Sequence, residues 1–469
     1  MIFADLLFLY LFLPLCLISY FITKNKSVKN AVLIIFSLIF YAWGEPVWVI
    51  LLIFSAAVDY INGLYIEKHF GTKKAKLGVV ISLIVNLGLL FVFKYSGFVL
   101  DNISTLFNLD MKTPNFRLPI GISFYTFQTI SYSIDCYRGK VKTQHNFFRF
   151  LMYVSLFPQL VAGPIVRYSV IDKEIDDRHT TVEDFAYGIT RMIIGLAKKV
   201  IIANGCSVIV ADLLDGQLSN LSAAAAWLGI IAFTLQIYFD FSGYSDMAIG
   251  MGRIFGFHFD ENFNYPYISK SITEFWRRWH ISLGSFFRDY LYIPLGGNRK
   301  HATLNLFIVW FLTGLWHGSS WNFVLWGLYF GVIIFIERLT LLKFIDKIPS
   351  FFLHIYSLFL IVFGWGLFYF TDLSRLGQFI KALFGANGGG FDDAVIRNIF
   401  MNNIFLLIIG CIISTPISKW IGSKTEKINS PELYATMGTV KIILTALLLA
   451  VSSVLLVSAT SNPFLYYRF

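Results

Sequence analysis

Apolar stretches of near-spanning length recur from Ile2 to Val457 with no long polar insert between them, and this pattern decides the solvent in which the chain folds. Only 14% of residues are charged and 57% are hydrophobic, against about 25% charged in soluble domains. The chain therefore reads as an integral membrane protein of the all-α polytopic class, forming one membrane domain over residues 1–469. Spans are expected at 2–22, 31–44, 47–64, 77–97, 119–136, 185–210, 222–254, 302–316, 321–337, 350–371, 398–419 and 440–459, about twelve in all. Each needs roughly 20 residues, or a tilt and a partner, to cross ~30 Å of hydrocarbon.

The net charge of +10 follows from basic clusters at 24–29, 68–76, 138–149, 270–300, 338–347 and 419–427, in segments flanking the spans. Short Lys/Arg-rich loops tend to stay cytoplasmic, which orients both termini outside and calls for no nucleic-acid partner. Alternation fails at 147–166, where a further span would force Lys198 and Lys199 into awkward positions. Pro158 and Pro164 break helices, so this segment is expected to be re-entrant, its backbone covered by protein or water. The first apolar run lacks a basic leader and a small-residue cleavage site and is expected to be a retained helix. Cys16, Cys136, Cys206 and Cys411 stand singly, which suggests neither disulfides nor a metal site.

Within this apolar background His317 stands out. The helix from Ala302 reaches Trp316 after 15 residues, climbing roughly 22 Å, less than the hydrocarbon thickness. Gly318, Ser319 and Ser320 then interrupt it, so His317 is expected inside the membrane at a break between two short helices. A buried histidine stays neutral at pH 7, the form that accepts a proton. A general base and a structural histidine beside Trp310, Trp316, Trp321 and Trp326 both remain open on this pattern. Gln236, Asp240, Ser242, Tyr244 and Asp246 also fall in a spanning segment, where carboxylates orient a histidine, pair with a cation, conduct protons or join helices. The stretch 256–301 mixes aromatics with arginine, as interfacial segments do. It reads either as an anchor to membrane lipid or as a cytoplasmic mouth whose Arg277, Arg278 and Arg288 attract a phosphate-bearing substrate. His280, on the same stretch, is expected near water.

Several familiar patterns fail. Gly250, Gly252 and Gly256 miss the dinucleotide fingerprint by one position, and no GxSxG, HExxH or Walker sequence occurs. His179 to Asp184 spells H-x4-D but lies in a charged loop, so a solvated role is expected.

Longer matches are more specific. The run Trp276-Arg-Arg-Trp-His-Ile-Ser-Leu-Gly-Ser-Phe-Phe-Arg-Asp-Tyr-Leu-Tyr-Ile-Pro-Leu-Gly-Gly-Asn298, followed by Thr313-Gly-Leu-Trp-His-Gly318, closely resembles the membrane-bound O-acyltransferase (MBOAT) family, in the branch that acetylates alginate, peptidoglycan and cellulose. The resemblance extends to 128–135, 157–164 and 238–246. It implies helices around a central tunnel, His317 and His280 as the two family histidines, and Trp276, Arg277, Arg278, Arg288, Asp289, Asn298, Trp316 and Asn322 around the donor. It also implies acetyl-CoA as acyl donor with no bound cofactor, an extracytoplasmic SGNH-type acetyltransferase as partner, and a polysaccharide acceptor at a bacterial inner membrane. The end of the chain, Phe464-Leu-Tyr-Tyr-Arg-Phe469, resembles the Phe-x-Tyr-x-x-Phe tail of such systems, which makes Tyr466 an expected acyl carrier; an interfacial aromatic anchor is the other reading. A D-alanyl transferase served by an acyl carrier protein and a non-enzymatic transporter or scaffold stand as alternatives.

Overall fold

Local signals start the helices. The side-chain oxygen of Asn25 accepts from the N–H groups of Ser27 and Val28 at 2.9 and 3.3 Å, filling donors that a helix start otherwise leaves unpaired. Asn146, Ser271 and Asp393 do the same for Arg149, Glu274 and Ile396. The structure, a computed structural model, describes residues 1–114, 116–160, 163–426, 431–458 and 464–465.

In chain order the principal helices are α1 (Phe8–Phe21), α2 (Lys26–Gly44), α3 (Val49–Lys68), α4 (Ala75–Phe107), α5 (Ile122–Tyr137), α6 (Phe147–Ser155), α7 (Val182–Asp215), α8 (Ala223–Ile254), α9 (Ile272–Arg278), α10 (Ala302–His317), α11 (Trp321–Leu339), α12 (Ser350–Tyr369), α13 (Ala394–Ile413) and α14 (Pro431–Ser458). Among the described residues there is no strand, and nine helices are long and apolar enough to cross a membrane. The other three expected spans are the shorter helices α1, α5 and α10. The 16 residues of α5 and of α10 cover only ~24 Å. The protein is thus an all-α, multi-pass membrane protein. The segment expected to be re-entrant is broken: α6 ends at Ser155, Leu156 is non-helical (φ −52°, ψ 109°), and a short helix Phe157–Leu160 follows. Pro158 cannot donate to the Val154 carbonyl, which accounts for the stop.

The chain divides into two compact units: Met1–Met192 with Tyr244–Glu261 and Ser285–Leu291, and Ile193–Gly243 with Asn262–Gly284 and Tyr292–Phe469. In the first unit α3, α4 and α5 pack around the buried carboxylate of Asp59. It accepts from Asn86 and Ser133, both at 2.6 Å, and from Ser82. Asn86 in turn accepts from Ser55 at 2.6 Å and Thr129 at 3.3 Å, so each helix brings a polar group that the others satisfy. Helices α7 and α8 also meet here. A Cβ on Gly188 would lie 2.6 Å from the Gly250 carbonyl, so the backbones touch. Beside that contact Arg191 pairs with Asp246 at 2.7 Å and with Glu261 at 2.6 Å.

Seven residues further along α7, in the second unit, the contact recurs: a Cβ on Gly243 would lie 2.7 Å from the Gly195 carbonyl. The next turn of α7 is wound wide over Lys198–Ala203, where the Asn204 N–H bonds to the Lys199 carbonyl five residues back. This π-turn carries Lys199. Helices α10 and α11 in the same unit are equally close, since Cβ atoms on Gly314 and Gly327 would stand 2.3 Å from the Phe323 and Trp310 carbonyls.

Candidate active site

The close pairing of α10 and α11 determines the surroundings of His317. Helix α10 stops at His317, and Gly318 runs extended (φ −175°, ψ 154°). A Cβ at Gly318 would press on the Phe323 ring at 2.2 Å, so only glycine fits. Across the turn, the Asn322 amide donates to the carbonyls of Leu367 and Phe368 at 3.3 and 3.4 Å, tying it to the last turn of α12. His317 is 3% exposed and stands in an aromatic enclosure. Its ring centroid lies 4.9 Å from Trp326, 5.0 Å from Trp316 and 5.4 Å from Phe368, all nearly edge-on. The far side of this enclosure is Trp276 of α9, 5.4 Å from Trp326, 4.9 Å from Trp310 and 5.0 Å from Phe330.

Helix α9 is held against α11 by a residue that sequence reasoning missed. Glu337, fully buried, accepts from the backbone N–H groups of Ile272 and Thr273 at 2.6 and 2.8 Å and from the Thr273 hydroxyl at 2.6 Å. A carboxylate at a helix N-terminus satisfies donors and favours the dipole. The one available signal was its place at the end of an apolar run, which resembles a membrane edge because Arg338 follows.

His280 corrects an expectation. It is not near water but 1% exposed. The residue adopts a left-handed backbone (φ 44°) between α9 and the helix Ile281–Phe287. That reversal turns the ring inward, its Nδ1 3.2 Å from the Asn262 side-chain oxygen and its face against Phe241 at 4.7 Å. Burial pushes its pKa down to about 3. Trp316 lies beside both histidines, 5.8 Å from the ring of His280.

Both intramembrane carboxylates have cations from α7. Asp246 has Arg191, as described. Asp240, 1% exposed, pairs with Lys199 at 2.7 Å and accepts from the Leu465 backbone N–H at 2.8 Å. Ser242 is buried nearby on α8 and Gln236 is half-buried. Tyr466 lies outside the described residues.

Known proteins can now be set beside this geometry. The profile of the membrane-bound O-acyltransferase family matches residues 137–380. This chain belongs to the MBOAT family. Over 392 residues it is 40% identical to the probable alginate O-acetylase AlgI of Pseudomonas aeruginosa, covering 82% of this chain and 75% of that one. Over 99% of its length it is 32% identical to the peptidoglycan O-acetyltransferase of Helicobacter pylori, covering 96% of that protein. The teichoic acid D-alanyltransferase of Bacillus subtilis is 31% identical over 46% of this chain and 58% of its own. The protein is an O-acyltransferase, which removes the transporter and scaffold readings.

In this MBOAT chain the expected donor-binding residues each have their own partners within their unit. Arg278 is tied to Glu274 at 2.8 Å and to the Asn264 carbonyl at 3.1 Å. Asn298 is exposed and accepts from the Tyr292 hydroxyl at 2.6 Å. Arg288 and Asp289 belong to the first unit, where Asp289 joins Arg288 and Arg167, each at 2.7 Å. Burial raises the Asp289 pKa, but the hydrogen bonds from Arg288 and Arg167 outweigh it and hold the carboxyl below its ordinary value. Arg277 is exposed, with no ion pair among the described residues. The H-x4-D pair is a surface feature: His179 lies 3.3 Å from Asp177, while Asp184 and Thr181 cap the start of α7.

Proposed function

We propose that this acyltransferase moves acetyl groups from cytoplasmic acetyl-CoA across the bacterial inner membrane for O-acetylation of an extracytoplasmic polysaccharide. The observation that carries the reading is His317, an imidazole buried in an aromatic enclosure at a helix break. Water is scarce there, so a base and an ester intermediate are both protected. The names of the alginate- and peptidoglycan-modifying relatives support acetyl as the group and a polymer as its destination.

In the proposed reaction the Tyr466 phenol is the first acceptor. With an ordinary pKa near 10 it is a poor nucleophile at pH 7, and His317 removes its proton as the oxygen attacks the thioester carbonyl. The C–S bond breaks, an aryl ester forms, and the CoA thiolate takes the proton from His317. An SGNH-type partner outside then passes the acetyl to the polysaccharide. Trp276, Trp316 and Asn322 shape the reaction chamber, Arg277 meets the donor phosphates, and His280, neutral at pH 7, fixes the chamber wall beside Trp316.

The test is acetyl-CoA turnover by purified protein in liposomes. His317→Ala is expected to abolish turnover while the protein still purifies as a folded species; unchanged turnover overturns the proposal. Tyr466→Phe separates a relayed acetyl from direct transfer, since full polymer acetylation by that variant excludes Tyr466 as carrier. D-alanine esters in the product, with a requirement for an acyl carrier protein, would decide for the D-alanyl reading, which the match to the teichoic acid enzyme supports over only 46% of the chain.

A further inference from the structure

The Asp240 carboxylate makes two different contacts. One oxygen receives Lys199 at 2.7 Å, and the other accepts the main-chain N–H of Leu465 at 2.8 Å. Lys199 and Asp240 are 4% and 1% exposed. Leu465 and Phe464 are themselves buried, at 8% and 2%. Helix packing sets up this arrangement: the Gly195–Gly243 contact brings α7 against α8, and the π-turn that follows on α7 carries Lys199. An ion pair alone is a poor reason to bury two charges, because desolvation offsets most of their attraction. A carboxylate that also grips a backbone amide acts as a receptor for a peptide main chain.

We propose that Asp240 and Lys199 form an internal docking site whose ligand is the C-terminal tail of this same chain, held by its main chain at Leu465. Lys199 compensates the carboxylate charge, and Asp240 supplies the acceptor. Recognition of a main-chain N–H is independent of side-chain identity, so the site reads the position of the tail and leaves the neighbouring side chains free for other work. The next residue on α8, Phe241, packs on His280, and the next residue of the tail is Tyr466. Asp240 and Lys199 are therefore positioning residues for the tail; that the tail delivers an acyl-carrying Tyr466 rests on the proposed function, whereas docking itself does not.

The two claims separate experimentally. Trimming of the detergent-purified, full-length protein by carboxypeptidase Y, followed by intact mass, reports how often the tail leaves its site. Two variants keep the buried charge balanced: Asp240→Asn with Lys199→Met retains an acceptor for the Leu465 amide, and Asp240→Leu with Lys199→Met does not. The first is expected to resist trimming past Leu465 within about twofold of the wild type, and the second to be trimmed about ten- to a hundredfold faster, the range for one lost hydrogen bond to a charged or polar acceptor. If the leucine variant does not purify folded, Asp240→Ala with Lys199→Met replaces it. Equal trimming of wild type and the acceptor-less variant overturns the proposal, as does fast trimming of the asparagine variant. Polymer acetylation retained by the asparagine variant and lost by the leucine variant ties docking to transfer. Docking with undiminished activity of Tyr466→Phe keeps the site and removes the carrier.

Discussion

His317 was legible in the sequence because an ionisable group between apolar runs is expensive, and simple length arithmetic put it at a helix break. Of its enclosure, Trp316 and Trp326 were within the expected aromatic group, but Phe368 was not, because it comes from α12, whose contact with α10 no local pattern encodes. Gly318→Ala tests that enclosure. The added methyl meets the Phe323 ring, an overpacking that costs about 1–3 kcal/mol, so turnover should drop at least about tenfold while the protein still inserts. Wild-type turnover would show that the turn yields without disturbing His317. His280 makes a prediction about pH. Its folded pKa of about 3 lies below the ordinary 6.5, so the unfolded chain binds the extra proton between those values. Its contribution is present above about pH 6.5 and is lost as the pH falls towards 3. Melting temperature should decline across that window, and less steeply in His280→Gln. Identical slopes would contradict the buried, neutral state. The sequence misplaced this residue because a left-handed non-glycine backbone gives no composition signal.

Among the elements, the spans were readable from apolarity, whereas the helix starts at Lys26 and Ala394 are set by the side-chain caps of Asn25 and Asp393, five and four residues before the apolar runs at 31 and 398 begin. The two acidic residues of α8 were readable as exceptional, but their partners were not. Lys199 entered the sequence reading only as an awkward charge within the expected span 185–210; it is buried and paired with Asp240. Charge rules describe loops facing water, and they fail where one helix supplies the counter-charge to another. Glu337 escaped notice for the opposite reason, since it looks like an ordinary membrane-edge residue. Its bonds to the first turn of α9 carry Trp276 into the enclosure. Glu337→Ala should lower stability by on the order of 3 kcal/mol, because two backbone donors lose a charged acceptor, with Glu337→Gln milder. A thermal or denaturant midpoint unchanged in the alanine variant would remove this role.

For the whole molecule, all-α multi-pass architecture and family were legible from composition and from long motif matches. Twofold partition into compact units was not, because α7 and α8 are continuous in sequence yet each divides between the units. The proposed orientation, with the basic loops on the cytoplasmic side, has a direct test: with Lys73 replaced by Cys in a chain otherwise free of cysteine, a membrane-impermeant maleimide should label inverted vesicles and not intact spheroplasts. The reverse pattern would turn the proposed direction of acetyl transfer around.

The wide turn at Lys198–Ala203 gives α7 one residue more than its regular repeat needs. Such an insertion acts as a phase shift, rotating everything beyond it by about 100° relative to the residues before it. The face that meets α8 at Gly195 is therefore not the face that continues through Asn204–Val210. Deleting Ile201 would restore the regular repeat at this turn and, in doing so, carry the residues that follow it onto a different face from Gly195. In this protein a locally more perfect helix would be a globally misaddressed one.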